Sequence, residues 1–317
     1  MTSDPIPTGP PSGIVSDHNQ QPPTPLVGRE QELAEINRLL DQADTQLLTL
    51  TGPDGVGKTR LAVAAARSRG KPFFFVSLAY ATSETLVISA IADALGASEH
   101  DSQSLLNDLI ASIQGTPTRL ILDGAEHLPA VTPVVQALLR GCPELNLLAT
   151  ATSPLGIEHE RVYQVPPLAL PAARNWPVLS EAERGAAVAL FIERATAVQP
   201  DFALTMANAF TIAEICRRLD GLPLAIEIVA ARARLLPPQP MLSRLDGRLP
   251  KPTDGPSSPD QQEAILRGVI IWSYDLLQPA EQKLLRGLAV FAGGATDDAL
   301  ATLFTGPDLA SQLEVLL

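Results

Sequence analysis

The run Leu47-Leu-Thr-Leu-Thr-Gly-Pro-Asp-Gly-Val-Gly-Lys-Thr-Arg-Leu61 constrains this chain more than any other stretch. It passes from an apolar strand pattern, through three glycines, into a helical pattern. Gly52, Gly55 and Gly57 let the backbone curl so that successive N–H groups face one concave space, a shape and charge that fit phosphate oxygens. Lys58 and Thr59 open the helix beneath. In a G-x-x-x-x-G-K-[ST] arrangement the Lys58 ammonium reaches the β- and γ-phosphates and the Thr59 hydroxyl ligates Mg²⁺. The candidate nucleotide-binding residues of this run are Gly52, Gly55, Val56, Gly57, Lys58, Thr59 and Arg60. Its flanks suit the same reading: Gln46–Thr51 is a strand candidate, and Leu61–Ala66 continues as helix with small residues for close packing on a sheet.

With 317 residues, 45% hydrophobic and 18% charged, the chain can bury a large core divided into two or three domains. A net charge of −12 repels a polyanion. That balance argues against sequence-independent nucleic-acid binding and favours a protein partner or self-assembly. Cys142 and Cys216 lie in apolar, helix-like surroundings and read as buried thiols. No apolar run approaches the length of a membrane span and no basic-then-apolar leader opens the chain, so a cytoplasmic location is expected.

Residues 1–25 are rich in Pro, Ser, Thr, Asp and Gln and read as a disordered tail. Val27-Gly-Arg-Glu30 leads into a helix with Leu33, Ile36, Leu39 and Leu40 at helical spacing. After the glycine-rich loop, strand candidates at Pro72–Leu78, Thr118–Asp123, Leu145–Thr150 and Tyr163–Pro171 are separated by helix candidates at Ser83–Leu95 and Ser102–Ile113. Such alternation predicts an α/β fold with a parallel sheet. Asp123, the carboxylate ending its strand, is the candidate to hold Mg²⁺ through water. Glu126 is the nearest carboxylate that could orient or deprotonate a water; it equally suits the first turn of a following helix. Prolines mark an exit from the sheet near residue 171. Helices are then predicted at Ser180–Gln199, with Ser180 and Glu183 as its start signal, at Thr211–Leu219 and at Pro223–Leu236. In Leu219-Asp-Gly-Leu-Pro-Leu-Ala225, Gly221 stops one helix and Pro223 opens the next. Residues 250–259 read as a linker, and 260–317 as a further helical domain.

Several of these stretches resemble one family. Val27-Gly-Arg-Glu30 before the first helix is similar to the lead-in motif of STAND-class P-loop NTPases, signalling relatives of AAA proteins, and Gly221-Leu-Pro-Leu224 is similar to the motif of STAND and NB-ARC proteins. Asp123-Gly-Ala-Glu-His-Leu128 and Ala149-Thr-Ala-Thr-Ser-Pro-Leu-Gly156 resemble segments of AfsR-like and LuxR-like bacterial regulators. Trp272-Ser-Tyr-Asp-Leu-Leu277 and Ala289–Gly294 resemble the opening of the winged helix that follows in them. The resemblance implies a P-loop domain over 26–171, a helical lid over 172–249 and a winged helix over 260–317 that ends incomplete. It also implies that Val27 touches adenine, that Arg29 meets the nucleotide or a neighbouring lid, and that Pro223 packs on the base. Two departures bear on catalysis. Gly124 stands where the family has Asn or Asp, and Thr152 stands where it has an arginine that senses the γ-phosphate. Unless another arginine, such as Arg161, takes that role, hydrolysis should be slow or absent. Asp54 inside the loop is a further departure, because a carboxylate beside phosphates is costly unless it points away or meets a cation.

The expectation is therefore a switch that binds ATP or ADP with Mg²⁺ in signalling or transcriptional regulation. Two rivals are an ATPase with efficient turnover, which Thr152 and Gly124 disfavour, and a winged-helix DNA-binding module, which the acidic balance disfavours.

Overall fold

The computed structural model describes residues 26–70, 73–96, 105–127, 131–171, 185–251 and 257–289. The amino-terminal tail, the Ser180/Glu183 helix start and everything beyond Ala289, including the rest of the expected winged helix, lie outside them.

The first part alternates strand and helix: α1 (Glu30–Leu40), β1 (Leu47–Thr51), α2 (Lys58–Ser68), β2 (Phe74–Ser77), α3 (Glu84–Leu95), α4 (Leu105–Ile113), β3 (Arg119–Asp123), α5 (Val131–Gly141), β4 (Asn146–Ala151) and β5 (Arg161–Gln164). The strands form one sheet in the order β2-β3-β4-β1-β5, and every pairing is parallel. β1 is buried along its whole length, as expected for a strand covered on both faces. Its alternate side chains serve two cores. Leu48 and Leu50 join a cluster with α1, α2 and the later helices; Leu47 joins one formed with α3, α4 and α5.

β5 ends at Gln164, just before the proline-marked exit expected within Tyr163–Pro171. Pro166 and Pro167 have no N–H to give a ladder, so pairing stops before them. Among the described residues six helices follow: α6 (Ala186–Val198), α7 (Ala209–Arg218), α8 (Pro223–Ala230), α9 (Pro238–Asp246), α10 (Pro259–Asp275) and α11 (Pro279–Leu288). Four of them begin on proline, whose fixed φ suits a first turn and whose missing N–H costs nothing there. α8 is shorter than expected, and α9 was not expected at all. α10 starts at Pro259, the last residue of the stretch read as linker, with the Ser258 hydroxyl accepting from Gln261 N–H at 3.3 Å.

Ala187, Leu190, Phe191 and Ala195 form the buried face of α6. Together with Ile212, Ile226, Val229 and Trp272 they continue the cluster that starts under β1. The helical unit and the sheet thus share one apolar core. Burying each such large side chain contributes about 1.5–3 kcal/mol, which is what seats the helices against the carboxyl-terminal edge of the sheet. Among the described residues no helix is long and apolar enough to cross a membrane.

Candidate functional site

Between β1 and α2 the chain curls through Gly52, Gly55 and Gly57, all at positive φ. Val56 is fully buried in the curl. Its carbonyl accepts from Arg29 Nη2 at 3.0 Å, and Arg29, itself buried, also donates to Glu32 at 2.8 Å. Arg29 therefore braces the back of the loop; it is not among the cleft walls where a nucleotide contact was expected. Val27 packs against the shared core.

Lys58 Nζ arches over the loop, donating to the carbonyls of Gly52 at 2.9 Å and Pro53 at 3.2 Å. It also lies 3.4 Å from Asp54 Oδ1. The cation that the Asp54 carboxylate requires is thus the loop's own lysine. Thr59 Oγ1 donates to Asp123 Oδ1 at 2.5 Å, which joins the two candidate metal ligands across 64 positions of sequence. The same Asp123 oxygen accepts from Thr150 Oγ1 at 2.7 Å, and Thr150 Oγ1 in turn accepts from Gly124 N–H at 3.0 Å. Thr150 belongs to β4, the strand between β1 and β3, so it spans the gap between the loop and Asp123. The sequence reading missed Thr150; a threonine near the carboxyl end of an apolar strand was the available signal.

These groups form two walls of a cleft of about 290 Å³. Gly55, Gly57, Lys58, Thr59 and Arg60 line one; Asp123, Gly124, Glu126 and Thr150 line another. The third wall is the start of α8, with Pro223, Leu224 and Glu227. Gly52 and Val56 shape the loop from behind it.

The third wall is held to the first by main chain. Leu224 N–H donates to Gly55 O at 3.1 Å. A Cβ on Gly55, at φ +76°, would stand 2.9 Å from Leu224 Cβ, so only glycine admits this approach. Behind it, Asp220 and Gly221 both take left-handed conformations. Gly221 O accepts from Leu168 N–H at 2.9 Å, and Gln262 of α10 donates to Asp220 Oδ2 at 2.5 Å. Glu227 Oε1 accepts from Arg60 Nη1 at 3.0 Å and from Arg194 Nε of α6 at 3.2 Å.

Two expectations about catalysis have structural answers. Thr152 is exposed just past β4. Arg161 cannot stand in for it: it pairs in register with Leu48, toward the amino end of β1 and away from the loop. There its guanidinium donates to Asp44 at 2.6 Å and holds that carboxyl below the usual range. Glu126 lies in a short 3-10 turn, Ala125–His127, and not in the first turn of α5.

A family model described as an AAA domain matches residues 41–153, which contain the loop, Asp123 and Thr150. Residues 41–153 form a P-loop NTPase domain. A solved structure to which this P-loop NTPase is similar is the signal transduction ATPase with numerous domains (STAND) protein with a tetratricopeptide repeat sensor, PH0952 of Pyrococcus horikoshii. Its TM-score is 0.53 at 16% identity, with 93% of this chain and 39% of that one covered, so the likeness is one of fold. Among curated proteins, the uncharacterized protein Rv0894 of Mycobacterium tuberculosis is 38% identical over 276 residues, 86% of this chain and 66% of that protein. The putative HTH-type transcriptional regulator Rv0890c of the same organism is 38% identical over 270 residues, 84% of this chain and 29% of its own length. The chain thus spans just under two thirds of the first of these relatives and under a third of the second.

A P-loop NTPase fold implies a nucleotide and, with it, Mg²⁺, and the residues present fit both. The glycines leave a cradle that side chains would fill, Lys58 is a buried cation, and Thr59 and Asp123 place two hard oxygen donors together.

Proposed function

We propose that this P-loop NTPase is a STAND-type switch module whose work is conformational. The observation that carries the reading is the main-chain bond from Leu224 to Gly55. Through it one cleft is walled both by the phosphate loop and by the first turn of α8, so a nucleotide held there contacts the helical unit as well as the sheet. The helical unit then acts as a lid. Diphosphate and triphosphate favour different lid positions, by no more than their difference in affinity for the two.

The loop amides and Lys58 bind the phosphate chain; Thr59 and Asp123 are the metal ligands, and Pro223 lies against the base. Mg²⁺ bound there would offset the charge of the β- and γ-phosphates. Glu126 is the carboxylate available to orient a water. With Thr152 uncharged and Arg161 engaged elsewhere, turnover is slow. The name of the regulator Rv0890c supports a place in transcriptional control, and the net charge of −12 supports a protein partner or self-assembly over a polyanion.

The test is to identify the nucleotide that copurifies, then to titrate ADP and ATP with Mg²⁺ by calorimetry. The parent binds both, and Lys58→Ala weakens each by roughly a hundredfold, since a charge-assisted contact contributes about 1.5–3 kcal/mol. Parent protein that ignores both nucleotides at millimolar concentration overturns the proposal, as does phosphate release faster than about 1 s⁻¹, an ordinary enzyme rate.

A further inference from the structure

We propose that Arg60, Glu227 and Arg194 form a charge latch that holds the lid and sets the preference between diphosphate and triphosphate. This rests on the switch reading above and adds the residues that sense phosphate chain length.

Among the described residues the cleft is poor in positive charge. Of its lining side chains, Lys58 and Arg60 are cationic, whereas Asp54, Asp123, Glu126 and Glu227 are carboxylates. Lys58 is engaged by loop carbonyls and by Asp54. Arg60 is engaged by Glu227, whose same oxygen also takes Arg194. The three groups come from α2, α6 and α8, so the contact joins the helix that carries Thr59 to two helices of the lid. Glu227 lies four positions after Pro223 on α8 and therefore shares its face. The Leu224 to Gly55 bond fixes that face against the loop.

A further phosphate brings negative charge into a space that already holds Glu227. It repels this carboxylate and competes with it for Arg60. Arg194 stands behind Glu227, away from the cleft lining, and draws the carboxylate's charge toward α6. A diphosphate leaves the latch closed; a triphosphate engages Arg60 and loosens it. Glu227 and Arg194 therefore act with opposite sign. Removing the Glu227 charge favours triphosphate. Removing Arg194 leaves that charge less compensated and disfavours it.

The experiment is calorimetry of MgADP and MgATP on the full chain for Glu227→Gln, Arg194→Ala and Arg194→Lys, with hydrogen exchange of the α8 amides as a second readout. Glu227→Gln raises the ATP-to-ADP affinity ratio about three- to fivefold, the upper part of the range of a partly exposed ion pair. Arg194→Ala lowers the ratio, and Arg194→Lys restores it. In the parent, ATP speeds α8 exchange relative to ADP; in Glu227→Gln that difference disappears. A purely structural triad shifts both nucleotides together and leaves the ratio unchanged. A ratio within twofold of the parent in both Glu227→Gln and Arg194→Ala sinks the latch while the switch reading stands. Parent protein that binds neither nucleotide sinks both.

Discussion

Thr152 leaves the end of β4 without a cation, and the nearest alternative in sequence, Arg161, is committed to Asp44 at the opposite end of the sheet. An arginine at position 152 would place a planar, permanently charged group just beyond Thr150, which already lines the cleft. Thr152→Arg is expected to raise phosphate release by at least about tenfold, a small part of what an added arginine supplies in related phosphoryl-transfer sites. No gain would place the deficit at Gly124 or Glu126 instead. Asp54 shows how a residue that looks misplaced in sequence finds its partner: Lys58 is four positions away, at the start of α2. Local pairs of that kind are legible from spacing. Glu227 and Arg60 are not, because 167 positions separate them and only the packed helices bring them together.

The junction between α7 and α8 is where elements meet most tightly. Gly221 has φ +66°, and a Cβ there would lie 2.4 Å from Leu168 O, which no small adjustment relieves. Gly221→Ala should therefore destabilise the chain by about 1–3 kcal/mol, seen as a fall in Tm of roughly 3–10 °C. An unchanged melting curve would mean that the junction does not pack against Leu168. The strands and the helices with clear periodicity could be read from sequence, since alternation and apolar faces are local properties. Their limits could not. α8 stops at Ala230, short of the expected Leu236, and Pro-Gln-Pro at the head of α9 has the composition of a loop, although both prolines fall in its first turn. In the same way, the loop, Asp123 and Pro223 stand out as motifs. Thr150 does not, because its role depends on β4 lying between β1 and β3, and strand order leaves no mark in the sequence.

At the scale of the whole molecule, the single core beneath β1 and α6–α10 makes the stability of the sheet and the helical unit one property. Cys216 reports on it. The thiol is fully buried, and loss of hydration pushes its pKa far up. In the unfolded chain it ionises near pH 8.5; folded, it stays neutral. Stability is therefore full below that value and falls as pH rises above it, by about 1.4 kcal/mol per pH unit for this one group. Urea unfolding between pH 8 and 10 should show a shallower decline for Cys216→Ala than for the parent. Equal slopes would mean that water reaches the thiol. Cys142, raised in the same direction by burial, keeps a smaller decline in both proteins. The pin between Leu224 and Gly55 carries a different consequence. Since an amide and a carbonyl make it, mutation of the side chains around it can drift widely without erasing it. The loop and the first turn of α8 can therefore stay joined while the side chains lining the cleft change, so long as position 55 carries none of its own.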